Sequence, residues 1–217
     1  MKSAKEEILD QVRRAIAGSA KQNVPDSAIE RRYRQQGGLT SENKLLLFED
    51  RLRDYGCEVV TCGNKEISAA IAQILSRRNK RALTRPSGIP PTWLPAGFSF
   101  PVDEGISYHD LDQSEGVLTG CALAIAETGT IVLRHSSTEG RRALSLIPDY
   151  HLCIVLASQV VESVVEGFRE MNQFSRMPIT TISGPSATSD IEMIRVQGVH
   201  GPRTLDVILV QDTPEAA

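Results

Sequence analysis

A glutamate stands between two apolar runs at Glu127, in the stretch Ile125–Thr130. A carboxylate that is taken out of water needs partners, so this position suits a general acid or base, a nucleophile or a ligand anchor. The three residues that complete this candidate ligand-binding turn are Thr128, Gly129 and Thr130. The alternative is a turn residue that pairs with Arg141 or Arg142, and the spacing alone leaves both interpretations open.

A run of small and hydroxyl residues follows a predicted strand at Gly184–Asp190. Consecutive backbone N–H groups together with Ser and Thr hydroxyls can cradle a phosphate or a carboxylate. No Gly-Lys-Ser/Thr sequence follows, so the run is not a Walker A loop. The alternative is a helix N-cap in which Asp190 complements the helix dipole. The candidate ligand-binding residues of the run are Gly184, Pro185, Ser186, Thr188 and Asp190.

A histidine lies between two glycines at His200, in the stretch Gly198–Arg203. It has room to act as a proton shuttle, or it is a loop residue bonded to the backbone. His135 and His151 are weaker candidates. The basic loop 134–142 suits an anionic ligand or a solvated surface. A hydrolase triad is disfavoured, because the chain has no Gly-x-Ser-x-Gly elbow.

The elements that must position these residues alternate between strands and helices. Apolar periodicity predicts helices over 3–17, 41–55, 65–78 and from Ser158 to about 173. Strands are predicted over 57–61, 81–84, 122–125, 130–133, 151–156, 178–182 and 206–210. This order predicts an α/β fold with a mainly parallel sheet. Ligands in such sheets bind outside the carboxyl ends of the strands, and both polar turns directly follow predicted strands.

Composition and charge restrict the class of protein. The 217 residues carry a net charge of −3, which argues against nucleic acid as the main partner. No apolar run approaches the roughly 20 residues of a membrane span, and residues 1–20 lack a signal-peptide core, so a cytoplasmic location is expected. The four cysteines form no CxxC pair, and no metal site is predicted. The polar stretch 19–40 suggests an N-terminal helix and arm over 1–40, followed by an α/β domain over 41–217.

Four motifs, in this order, resemble one family. They are Ala124–Thr130, Leu144–His151, Ser183–Glu192 and Gly198–Pro202. Together they resemble the LUD domain, and the match is closest to the lactate utilization protein C (LutC/YkgG) type. Each motif alone is weak, whereas four in order are specific. The resemblance is strong from about 118 to 210 and weaker over 1–117.

The resemblance implies a fold and a function that spacing does not show. The fold is expected to be a three-layer α/β architecture similar to NagB, RpiA and the CoA transferases. The expected function is that of a cluster-free subunit acting with lactate utilization proteins A and B, which carry iron–sulfur clusters, in the oxidation of L-lactate to pyruvate. No cofactor is expected in this chain. The alternatives are a separate enzyme or a sensor that binds a small anionic molecule, such as a CoA ester or a sugar phosphate.

Overall fold

An amphipathic helix, α1 (Ala4–Ala17), forms most of the described part of the first of two compact units, Met1–Arg34 and Gln35–Ala217. The computed structural model describes residues 4–17, 30, 32–174, 176–188, 196–197 and 200–211. The large apolar side chains of α1 are all exposed and are Ile8, Leu9, Val12 and Ile16. Most of the predicted arm lies outside the described residues, and the division after residue 40 stays a prediction.

In its described residues, the second unit has four α-helices and ten strands. The helices are α2 (Ser41–Asp54), α3 (Ile67–Arg77), α4 (Tyr108–Asp112) and α5 (Val164–Met171). The strands are β1 (Glu58–Gly63), β2 (Val117–Thr119), β3 (Leu123–Ile125), β4 (Thr130–Leu133), β5 (Tyr150–Leu156), β6 (Val160–Val161), β7 (Thr180–Ile182), β8 (Ala187–Thr188), β9 (Val196–Gln197) and β10 (Thr204–Gln211). The predicted helices at 41–55 and 65–78 are confirmed.

A parallel sheet in the order β1-β10-β5-β2 forms the centre of the unit. Side chains alternate between the two faces of a strand, and here both faces are buried. One face packs on α2 through Cys153, Val155, Val207 and Leu209. The other packs on α3 through Leu152, Ile154, Ile208 and Val210. Each buried aliphatic side chain contributes about 1.5–3 kcal/mol by leaving water, so burial on both faces stabilises this sheet, and the α/β prediction is confirmed.

A second sheet in the order β6-β3-β4-β7 packs against the α2 face of the first. Its β3–β4 and β4–β7 pairs are antiparallel. The predicted tight strand–turn–strand element around Gly129 is confirmed. The sequence did not separate this mixed sheet from the parallel one, because the strands of both sheets are short apolar runs of the same composition.

Two predicted elements are wrong in part. The helix expected from Ser158 begins instead after Ser163, whose hydroxyl accepts from the backbone of Glu166 while that glutamate bonds back to Ser163. Residues before it form β6, which pairs with β3. The stretch 81–84 forms isolated bridges rather than a strand, because successive residues bond to two different segments, Ser99 and Gly116. None of the helices within the described ranges is long and apolar enough to cross a membrane.

Candidate functional site

A hydrogen bond joins the first two candidate segments. The antiparallel register pairs Ile131 with Ile182, which brings Thr130 beside Ser183. Their hydroxyl oxygens lie 2.8 Å apart, and the hydroxyl of Thr128 lies 2.7 Å from that of Thr130. The turn after β3 and the turn after β7, separated by about 50 residues in sequence, therefore share one hydroxyl chain.

The end of α2 packs on both turns at glycines in the left-handed region. Gly129 has φ +56°, and a Cβ there would lie 2.9 Å from the Cβ of Arg51. Gly184 has φ +83°, and a Cβ there would lie 2.5 Å from the Cβ of Tyr55. Residues that have a Cβ are sterically strained at positive φ. Both glycines thus fix the course of the two turns against α2.

The third segment joins the second through Ser186. The hydroxyl of Ser186 accepts a hydrogen bond from the backbone N–H of His200 at 2.9 Å. The backbone N–H of Ser186 donates to the carbonyl of Pro202 at 2.8 Å. The structure therefore places His200 beside the turn after β7, as two of the motifs together would require.

A cavity of about 230 Å³ opens where the second and third segments meet. Its walls include three predicted residues of the turn, Gly184, Pro185 and Ser186, together with His200. The remaining lining residues are Arg142, Ser145, His151, Thr180, Thr181, Ile182, Ser183, Ala187, Gly201, Pro202 and Leu205. No aspartate or glutamate is among these described lining residues, so the lining carries one fixed positive charge.

The cavity lies at the amino ends of the parallel strands, because His151 and Leu205 are the second residues of β5 and β10. The sequence predicts a site at the carboxyl ends of the strands, and this cavity does not lie there. The physical reason is that the turn at 184–186 does follow the carboxyl end of β7, but β7 belongs to the second, mixed sheet, in which it pairs antiparallel with β4.

Arg142 and Ser145 form the polar wall contributed by the basic loop. The guanidinium of Arg142 donates to the hydroxyl of Ser145 at 3.2 Å, and no carboxylate among the described residues forms an ion pair with it. The neighbouring Arg141 is held elsewhere by two bonds of 2.7 and 3.0 Å to Asp103. These bonds lower the pKa of that carboxyl. Among the described lining residues, Arg142 is thus the cation that is left for an anionic ligand.

His151 is the cavity residue that sequence reasoning underrated. Its side chain is buried, and burial lowers its pKa to about 4, so the imidazole is neutral at pH 7. Nε2 lies 2.7 Å from the hydroxyl of Thr119. Nδ1 is buried and has no hydrogen-bond partner among the described residues. A sequence signal existed, since a histidine at the start of an otherwise apolar buried strand is unusual.

Glu127 lies outside the described lining of this cavity. It is half-buried in the turn after β3, and its backbone N–H donates to the carbonyl of Glu162 at 3.0 Å. Thr128 and Gly129 are not among the described lining residues either. Asp190 lies outside the described residues, and only the backbone of Thr188 is described. The structure thus joins part of the predicted site to new residues.

A larger groove of about 590 Å³ lies at the carboxyl ends of the parallel strands. Its walls include Lys44 of α2, Thr61 of β1 and Gln211 of β10. Two carboxylates, Glu42 and Glu49, also line it. None of the predicted site residues is among its described lining residues, so the smaller cavity is the better candidate for the chemistry of the motifs.

The cysteines provide no cluster site in the described chain. Cys57, Cys121 and Cys153 are buried, and Cys62 is half-buried. A hydrogen bond with the thiol of Cys153, together with burial, raises the pKa of Cys121. Within the described ranges, no group of three or more His, Cys, Asp or Glu side chains is placed to hold a metal ion.

Comparison with known proteins gives a consistent set of similarities. The model of the LUD domain matches residues 102–210, which include every residue of the smaller cavity. Lactate utilization protein C of Deinococcus radiodurans is 46% identical over 210 residues, covering 95% of each chain. An uncharacterized protein, YkgG, of Escherichia coli is 38% identical over 113 residues, covering 48% of each chain. The crystal structure of a DUF162 family protein from Deinococcus radiodurans has a TM-score of 0.71 and 44% identity, and covers 80% of this chain and 99% of that one.

Proposed function

Because the chain belongs to the LUD domain family, we propose that it acts in lactate utilization, as the cluster-free subunit of a system that oxidises L-lactate to pyruvate. The observation that carries this proposal is the 46% identity, over 95% of both chains, to a protein named lactate utilization protein C. A relative of equal length and such identity supports a shared role more strongly than a shared fold does.

The proposed partners are iron–sulfur proteins of the lactate utilization A and B types. They would supply the path for the electrons, and this chain would contribute binding and positioning. The exposed apolar side chains of α1, among them Ile8 and Val12, support a docking role for the N-terminal unit, since such stripes commonly mark interaction surfaces. Cytoplasmic location belongs to the same proposal.

The site residues of this role are proposed on chemical grounds. Glu127 and His200 are the candidates for proton transfer, and the ligand contacts are assigned to the two turns. The hydrogen bond between Thr130 and Ser183 supports a common site for those turns. The contact residues proposed are Thr128, Gly129, Thr130, Gly184, Pro185, Ser186, Thr188 and Asp190. Glu127→Gln and His200→Gln should each lower lactate-dependent activity, and urea denaturation of each variant separates that loss from a loss of stability.

Deletion of the gene and complementation with single variants test the proposal. The deletion strain should fail to grow on L-lactate as the carbon source and should grow normally on glucose. Anaerobic purification of the tagged chain should recover both iron–sulfur proteins. Normal growth of the deletion strain on lactate, together with no recovery of these proteins, would overturn the proposed role.

Variants of α1 separate docking from catalysis. The double variant I8Q/V12Q removes two apolar side chains from the exposed stripe and should reduce recovery of the partners. The matched control E7Q/R13Q changes the polar face of the same helix and should leave recovery unchanged. Equal recovery with both variants would contradict docking through this stripe.

A second candidate is a separate enzyme or a sensor that binds a larger anionic molecule. The groove of about 590 Å³ favours it, because the groove lies at the carboxyl ends of parallel strands, where ligands of α/β proteins bind. A thermal-shift screen with CoA esters and sugar phosphates tests it, with K44Q as the variant. Stabilisation by one of these compounds that K44Q abolishes would support this candidate, whereas no stabilisation by any would reject it.

A further inference from the structure

Among the described residues that line the smaller cavity, one cation has no carboxylate partner and one buried nitrogen has no hydrogen bond. Arg142 forms no ion pair with a carboxylate in the described chain, and its recorded partner is the hydroxyl of Ser145. Nδ1 of His151 is buried without a partner in the same part of the chain. Buried polar groups are almost always hydrogen-bonded, so an unsatisfied nitrogen on a residue that lines the cavity points to a ligand.

The size of the cavity limits that ligand. At about 230 Å³, it lies below the roughly 300–1,000 Å³ of pockets for drug-sized molecules. A CoA ester would not fit inside. Apolar walls at Pro185, Pro202 and Leu205 leave room for a small aliphatic group beside the polar ones. The single fixed cation matches a monoanion better than a dianion.

We propose that this cavity binds a small 2-hydroxy or 2-oxo monocarboxylate, with its carboxylate at Arg142 and its 2-oxygen at Nδ1 of His151. The choice of lactate and pyruvate as probes rests on the proposed function. The assignment of the cavity rests on the charge, the size and the unsatisfied nitrogen.

The bond between His151 and Thr119 explains why both oxidation states would bind. A neutral imidazole has one N–H donor and one acceptor nitrogen. The hydroxyl of Thr119 can accept from Nε2 or donate to it. When Thr119 donates, Nδ1 carries the proton and donates to a 2-oxo group. When Thr119 accepts, Nδ1 is free to accept from a 2-hydroxyl group. One imidazole thus serves the substrate and the product of a 2-hydroxy acid oxidation.

Calorimetry on the full chain tests the role of the 2-oxygen. L-Lactate and pyruvate should bind about tenfold more tightly than propionate, which lacks that oxygen, since one satisfied buried hydrogen bond contributes on this scale. Propionate binding as tightly as lactate would overturn the assignment of Nδ1. Inorganic phosphate binding more tightly than pyruvate would overturn the choice of a monocarboxylate.

Two variants test the two proposed contacts with the ligand separately. His151→Phe keeps a planar ring without nitrogens and should weaken lactate about tenfold while leaving propionate unchanged. Arg142→Gln should weaken lactate and propionate by the same factor of about ten or more, because both carry the carboxylate. His109→Phe and Arg81→Gln change exposed residues and should alter neither affinity. If His151→Phe weakened lactate and propionate by the same factor, direct contact between His151 and the 2-oxygen would be contradicted.

If His151→Phe does not fold, nitrogen NMR of the wild-type chain tests the contact at Nδ1 of His151 instead. The four histidines are assigned by elimination through single substitutions of His109, His135 and His200. Lactate should shift Nδ1 of the remaining imidazole, and propionate should not. No shift at saturating lactate would overturn the proposal. Binding without partner recovery would reject the proposed function alone, and partner recovery without carboxylate binding would reject this inference alone.

Discussion

Asp206 is a fully buried carboxylate that ties the amino ends of two central strands to α3. Arg78 donates to its two oxygens at 2.8 and 2.6 Å, and the hydroxyl of Tyr150 donates at 2.9 Å. These bonds raise the pKa of Arg78, and burial together with Asp206 raises the pKa of Tyr150. Asp206 follows Leu205 and Tyr150 precedes His151, both in the cavity wall. The network should therefore hold the cavity as well as the fold.

Removing Arg78 and removing Asp206 should lower the free energy of unfolding by different amounts. Arg78→Met leaves the carboxylate of Asp206, whose side chain is 0% exposed, with Tyr150 as its one remaining partner among the described residues. Stranding a buried charge in this way costs about 3–5 kcal/mol. Asp206→Asn leaves Arg78 34% exposed and 3.4 Å from Glu58, so the guanidinium keeps water and a second carboxylate. Its cost should be about 1–3 kcal/mol.

Urea denaturation followed by the fluorescence of Trp93 measures the difference, because this single tryptophan packs against the core on the α3 face. For both variants, the slope of the unfolding free energy against urea concentration should match that of the wild type, since neither change alters the surface exposed on unfolding. Arg77→Met, at the adjacent exposed arginine that pairs with Glu58, should cost less than about 1 kcal/mol. Asp206→Asn proving more destabilising than Arg78→Met would refute the reasoning.

The remaining predictions concern the cavity walls. The pKa of His151 falls from about 6.5 in the unfolded chain to about 4 in the folded one, so its contribution to stability is complete above pH 6.5 and is lost as the pH falls towards 4. The loss should be about 3 kcal/mol, measured by urea unfolding at each pH, and a flat profile would contradict the burial of the ring. Gly184→Ala should destabilise more than Gly97→Ala, because the two glycines have φ of +83° and +84°, but only at 184 would the new Cβ meet Tyr55. Equal unfolding midpoints for the two variants would contradict the contact.

Much of the fold could be predicted from the sequence where local signals agree. The helix at Ser41–Asp54 has a threonine N-cap and an apolar stripe, and the buried strand at Tyr150–Leu156 is a continuous apolar run. The start of α5 was readable as well, since Ser163 and Glu166 form a capping-box pattern. The predicted helix begins too early because it includes the apolar run from Val160. Two residues of that run pair as a strand instead.

The site could be predicted only in part, because it depends on contacts between distant segments. The motifs pointed to Ser186 and His200, and the structure places them in hydrogen-bond contact. The role of His151 depends on which of its nitrogens Thr119 occupies, and that pairing follows from the register of β2 and β5. The cavity lies at the amino ends of the parallel strands because of the antiparallel direction of β7. No local sequence pattern reveals that direction.

Reconstitution of L-lactate oxidation tests the central claim most directly. The two iron–sulfur proteins, purified anaerobically, are assayed for pyruvate formation with an added electron acceptor, with and without this chain. Pyruvate formation should require the chain and should fall with Arg142→Gln but not with Arg81→Gln. Full activity of the two iron–sulfur proteins without the chain would contradict its place as a subunit of the lactate-oxidising system.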